Sequence, residues 1–212
     1  MRRVRDLDKQ RAIDHYERLS RDYDGIVGRG PLGRLRARER NAVLAYARFE
    51  DRSKSTAIDV GCGGGFFALA AKRAGLKVAA VDAAPGMVRR LVGRVDEAWV
   101  ADVESLVTGR TWDIVVCAGV LEFVLQPWTA FANLAALVAP RGRLVVCAPR
   151  AGPTGWAYVL EKRCTGFAVN LIPLEWFREA GAANGLVLRA WTHPLPTNRA
   201  LLFERAGRLR AT

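Results

Sequence analysis

Ala57-Ile58-Asp59-Val60-Gly61-Cys62-Gly63-Gly64-Gly65-Phe66 decides the fold of this chain. A short apolar run with β-branched residues passes an acid and enters glycines at every second position, and an Ala/Leu-rich helical pattern follows through Ala74. That order predicts a strand, a tight turn and the start of a helix. Glycine permits positive φ and lets a ligand lie against the backbone where a Cβ would block it. The first amide groups of a helix have no partner within the helix and are expected to face that ligand.

The stretches downstream repeat the strand pattern. Lys77-Val78-Ala79-Ala80-Val81-Asp82 reads as a second buried strand ending in an acid, with Pro85 at a helix start. In a sheet of this kind, such an acid accepts hydrogen bonds from the ribose hydroxyls of a nucleoside. Further strands are expected at Ala98 to Ala101 (followed by Asp102-Val103), at Trp112 onward, and at Gly142 to Cys147. A dinucleotide site is the nearest rival. Counting from Gly61 and Gly63, its G-x-G-x-x-G pattern needs a glycine at 66, where the chain has Phe66. Asp59 would also repel a pyrophosphate.

The spacing Asp-x-Gly-x-Gly-x-Gly resembles motif I of the class I S-adenosylmethionine-dependent methyltransferases. Asp82-Ala83-Ala84-Pro85-Gly86-Met87 looks like the family's second motif, with Ala84 in the usual Ser place. Trp112 to Val124 resembles the fourth motif of the small-molecule branch, which includes the ubiquinone/menaquinone-type enzymes. The resemblance implies S-adenosyl-L-methionine as cofactor and S-adenosyl-L-homocysteine as product. It implies cofactor contacts from Asp59, Gly61, Cys62, Gly63, Gly65, Asp82, Ala83, Met87, Ala118 and Gly119, with Asp59 suited to the cofactor's ammonium. Asp102-Val103 would meet the adenine. Tyr23-Asp24 is similar to an element that closes over the cofactor, and Arg34 or Arg38 would pair with its carboxylate.

The expected architecture is an α/β, doubly wound, Rossmann-like sheet of seven strands, six parallel and one antiparallel. Alternating strands and helices predict the parallel part. The antiparallel strand follows from Leu186–Thr192 and Asn198–Glu204, whose five-residue connection (His193–Thr197) is too short for a helical crossover. Residues 1–55 are expected to form N-terminal helices (Lys9 to Tyr23, and Pro31 to Phe49) that cap cofactor and substrate. Residues 56–212 form the core, and the whole chain reads as one compact domain of 212 residues. No apolar run reaches the roughly 18 residues of a membrane span. Met1 to Asp6 lacks the apolar segment of a secretory signal, and the cysteines form no close pair. A cytoplasmic location and a site without metal are the expectations.

A net charge of +12, almost all from arginine, raises the question of a nucleic-acid partner. No RNA-binding module is visible, and the fourth strand ends Ala118-Gly119-Val120-Leu121 rather than in the Asn/Asp-Pro-Pro-Tyr/Phe used to grip a flipped base. Nucleic acid is therefore the less favoured partner, with peripheral contact to an anionic membrane or an acidic substrate a comparable reading. The favoured acceptor is a small, largely apolar metabolite (quinone, lipid-like or natural product). Oxygen is preferred as its methylated atom on general grounds only. The alternatives are a nucleic-acid methyltransferase or a non-catalytic cofactor-binding protein. Candidate bases are His193 at the last hairpin, Glu122 in the fourth motif and Tyr158. Phe123 stands where related enzymes often carry histidine. The aromatic stretch from Trp156 to Trp176 is expected to cover the acceptor.

Overall fold

The computed structural model describes residues 4–23, 30–52, 55–164 and 166–205. Asp24, the arginines at positions 2 and 3, and the tail after Arg205 lie outside them.

Among the described residues two α-helices, α1 (Asp6–Leu19) and α2 (Gly30–Ala47), and a short 3-10 turn (Phe49–Arg52) precede the sheet. Helix α1 starts three residues earlier than expected because Asp8 accepts the Arg5 amide at 3.1 Å and closes the first turn. It stops before Tyr23 because the Ser20 hydroxyl donates to the Glu17 carbonyl at 2.7 Å. The chain then alternates: β1 (Thr56–Val60), α3 (Phe66–Arg73), β2 (Lys77–Asp82), α4 (Pro85–Arg89), β3 (Glu97–Val100), β4 (Trp112–Ala118), α5 (Pro127–Ala136) and β5 (Val138–Pro149). It ends with α6 (Pro153–Cys164), α7 (Leu174–Ala183), β6 (Leu186–Leu195) and β7 (Asn198–Arg205).

The strands form one sheet in the order β3-β2-β1-β4-β5-β7-β6. All neighbouring pairs are parallel except those of β7, which runs antiparallel to β5 and β6. This is the expected Rossmann-like sheet of six parallel strands and one reversed. Strands β1, β4 and β5 are almost continuously buried, as parallel strands covered on both faces must be. One face packs on α5 and α7 through Phe131, Phe177 and Phe203, and Trp176 sits edge-on to Phe131 at 5.8 Å. The other packs on α2 and α3 through Val43, Ala47, Leu76 and Leu91. Strand order reverses between β1 and β4, so their carboxyl ends diverge and leave a crevice. No helix of the described residues is long and apolar enough to cross a membrane.

Candidate functional site

The turn after β1 is shaped by its glycines. Gly61 has φ +72°, and a Cβ there would stand 2.1 Å from Val120 Cγ2 on the loop after β4. Gly65 has φ +82° at the start of α3, and a Cβ there would meet Leu91 at 2.3 Å. The amides of the turn itself, ahead of the helix start, are taken up by strand β2. Gly61 and Cys62 donate to the Val81 carbonyl at 2.7 and 2.9 Å, and Gly63 donates to Asp82 Oδ2 at 2.8 Å. Strand β2 therefore holds the turn rigid, and a ligand meets its Cα surface. Asp82 also accepts the Ala84 amide at 2.9 Å on Oδ1. A carboxylate has about four lone-pair sites, so capacity remains for a hydroxyl donor.

Asp59 takes a different part from the one its motif suggested. It is 3% exposed, lies outside the crevice lining, and accepts the Ala68 amide of α3 at 3.0 Å. It ties β1 to the first turn of α3, where a carboxylate bonds a helix amide left without a partner. Burial raises its pKa to about 7, opposed by the Ala68 bond and assisted by the nearby Asp82 charge.

Two adjoining cavities open at the carboxyl edge. The first is a narrow slot of about 130 Å³. Gly61, Gly63, Asp82, Ala83, Asp102 and Val103 line it from the sheet, and Lys9, Ile13 and Tyr16 of α1 close it from above. Helix α1 is held down by Lys9, which pairs with both Asp102 and Glu104, and by Glu17, which bonds Arg89 at 2.6 Å and the Gly86 amide. The second cavity, about 510 Å³, lies between α2, α6 and the β6–β7 hairpin. Tyr16, Tyr23, Arg36, Ala118 and Gly119 line both cavities and form their common wall.

Glu122 lines the second cavity and is 4% exposed, and its Oε2 has no hydrogen-bond partner. Burial raises its pKa to about 7. Tyr158 lines the same cavity and burial drives its phenol far up. Glu39 pairs with Arg36 at 3.7 Å and accepts from Asn198, and burial raises its pKa. Arg40 lies over the Phe66 ring at 4.1 Å.

Several anticipated residues sit elsewhere. His193 is exposed on β6, beside the Trp191 ring at 5.1 Å, and lines neither cavity. Met87 is fully buried in α4 and Gly65 serves the turn, so neither touches the slot. Arg34 is exposed and lines neither cavity; Arg36 takes its place. The signal for Arg36 was present: Arg36, Glu39, Arg40 and Val43 fall at helical spacing on the face whose Val43 enters the core. Of the aromatic stretch, Tyr158 lines the cavity and Phe167 packs between His15 and Phe123, while Trp156 is exposed and Trp176 belongs to the opposite face of the sheet. Among the described residues no cluster of His, Cys, Asp or Glu could hold a metal ion.

Residues 58–146 match the family described as "Methyltransferase domain". Similar curated proteins include the mitochondrial ubiquinone biosynthesis O-methyltransferase of Schizosaccharomyces pombe, 31% identical over 63% of this chain and 53% of that protein. Ubiquinone biosynthesis O-methyltransferase of Rickettsia felis is 25% identical over 79% of this chain and 71% of that protein. The enzyme of that name from Xanthomonas oryzae pv. oryzae is 34% identical over 50% and 48%. The chain thus spans about half the length of two of these relatives. Among solved structures, magnesium protoporphyrin IX methyltransferase from Synechocystis with bound S-adenosylhomocysteine superposes with TM-score 0.75 at 20% identity, covering 94% of this chain and 100% of that one. The N-methyltransferase NodS from Bradyrhizobium japonicum gives 0.67 at 19% identity, covering 93% and 98%. These last two likenesses establish a shared fold.

Proposed function

We propose that this chain is a class I S-adenosylmethionine-dependent methyltransferase, a reading supported by the methyltransferase-domain match over residues 58–146, and that it methylates a hydroxyl oxygen of a small, largely apolar acceptor. In this reading S-adenosylmethionine occupies the slot and supplies an electrophilic methyl group on a sulfonium. The residues present suit it. Asp82 has acceptor capacity for a ribose, Asp102 stands at the far end for an adenine, and the bare Cα surfaces of Gly61 and Gly63 leave room that a Cβ would take. Residues 1–55 would then act as the cap, with α1 excluding water from the slot.

The acceptor belongs in the second cavity. Leu35, Val43, Phe66 and Phe67 give it an apolar wall, and Tyr16 and Tyr23 stand where the two compartments meet. Displacement on a sulfonium carbon depends chiefly on alignment and on exclusion of water, which a shared wall between two fixed cavities supplies. A hydroxyl acceptor must also lose a proton. Glu122 carries this reading: a buried carboxyl at the cavity wall with one oxygen unpartnered and a pKa raised to about 7, near the value a general base needs at neutral pH. The relatives named ubiquinone biosynthesis O-methyltransferases support an oxygen acceptor on a hydrophobic ring.

The test is Glu122→Gln, assayed for S-adenosylhomocysteine formation across phenolic and quinol acceptors. Turnover should fall roughly 10²–10⁴-fold, with cofactor affinity unchanged. A variant that keeps near-normal turnover would remove Glu122 as the base and leave alignment and desolvation to carry the reaction.

A further inference from the structure

Among the described residues two arginines are buried outside both cavities: Arg143, which donates to the Tyr46 carbonyl and pairs with Glu204, and Arg199. Arg199 of β7 pairs with Ala148 of β5, and Arg150, two residues past Ala148, returns to the same face of the sheet. Trp191 and His193 of β6 join them there. The Arg199 guanidinium lies 6.0 Å above the Trp191 ring, and His193 packs on that ring. This is the face toward α7, across the sheet from Asn198 and the acceptor cavity.

Arg199 is only 7% exposed, and its Nε and Nη1 have no hydrogen-bond partner. The Nε of Arg150 is buried and likewise unpartnered. Neither arginine forms an ion pair with any described residue. The acid whose charge acts on Arg199 is Glu175, exposed in the first turn of α7. Burial, and after it the charge of Arg150, holds the Arg199 pKa below its usual value. The Arg199 guanidinium is thus enclosed with two donor atoms unused, beside a half-buried Arg150 whose Nε is also unused. Burying a charge without a partner is strongly unfavourable, and a ring face recovers only part of that cost.

We propose that Arg199 and Arg150 form an oxyanion site that takes a phosphate-type group, entered past the exposed His193. A carboxylate would neutralise one of the two cations, whereas a phosphate near pH 7 carries about −1.5 to −2 and offers three acceptor oxygens to two donor forks. The phosphate could be free or part of an anionic lipid headgroup, and the site chemistry is the same for both.

The experiment compares the full chain with Arg199→Met and Arg150→Met. Thermal unfolding is followed against inorganic phosphate, with sodium chloride at matched ionic strength as control. Co-sedimentation is measured with vesicles of phosphatidylglycerol and phosphatidylcholine (1:1) and with phosphatidylcholine alone. In the wild type, each tenfold excess of phosphate over its Kd should raise Tm by about 3–5 °C. Arg199→Met should unfold at the same or a higher temperature in phosphate-free buffer, because an unpartnered charge has been removed, and should lose the phosphate response. Sedimentation with the anionic vesicles that Arg199→Met abolishes identifies a lipid headgroup; a response to free phosphate alone identifies a soluble phosphate. If Arg199→Met fails to fold, Arg150→Met decides by the same losses. The proposal is overturned if the wild type responds to neither probe, or if the variants respond as the wild type does.

Discussion

Asn in place of Asp59 should stabilise the protein, and increasingly so as pH rises. The carboxyl of Asp59 is fully enclosed, and burial lifts its pKa from 3.8 to about 7. An acid whose pKa is raised on folding favours the folded state while protonated in both states. That contribution is lost as pH rises from about 4, where the unfolded chain begins to ionise, to about 7, where the folded one does; above 7 the loss is constant. At 1.36 kcal/mol per unit, ionisation of the unfolded carboxyl withdraws about 2 kcal/mol by pH 5 and about 4 kcal/mol by pH 8. The amide oxygen of Asn can still accept the Ala68 amide, so the helix start keeps its bond. Any fixed cost of the amide cancels when two pH values are compared. Urea unfolding of wild type and Asp59→Asn at pH 5 and pH 8 should therefore show the variant gaining about 2–3 kcal/mol relative to wild type across that interval. S-adenosylhomocysteine affinity should change little, since Asp59 does not line the slot. A stability difference independent of pH would refute the desolvation account. A large loss of affinity at unchanged stability would return Asp59 to the ligand.

Asp82→Ala should weaken S-adenosylhomocysteine binding by one to two orders of magnitude in calorimetry, roughly 1.5–3 kcal/mol for lost charge-assisted bonds; unchanged affinity would remove Asp82 from the cofactor. Gly61→Ala should destabilise by roughly 2–5 kcal/mol, combining a left-handed backbone with the collision against Val120. Adding Val120→Ala should recover the collision and leave the backbone cost. A single variant within about 0.5 kcal/mol of wild type would show that the two loops separate at no cost.

The strands and the glycine turn were legible because each is written in local pattern, whereas the order of strands in the sheet came from the packed molecule. The reversed last strand was legible for a similar reason: five residues between two strand patterns leave no room for a crossover helix. Asp82 and Asp102 both line the slot, as strand-end acids at the carboxyl edge of such a sheet do. What failed was direction and partnership. Asp59 stands one residue from the turn, and nothing local says whether its carboxylate faces the crevice or the start of α3. Trp176 and Tyr158 belong to one aromatic stretch, yet they lie on opposite faces of the sheet. Arg34, Arg36 and Arg38 look alike one by one, and helical spacing with Val43 separates Arg36 only once Val43 is known to enter the core. Only the rotation of α2, set by burial of Val43 and Ala47, sends Arg36 to the wall between the cavities.

The sequence by itself determined the parallel sheet, the reversed strand and the identity of the crevice, since backbone preference and hydrophobic period act over a few neighbouring residues. Tertiary structure alone decided that the turn amides bond β2, that Glu122 is left with an unpartnered oxygen, and that Arg150 and Arg199 share one face without an ion pair to any described residue. Those facts depend on which side chains from distant segments exclude water from one another. Desolvation and hydrogen-bond partnership are properties of the packed molecule.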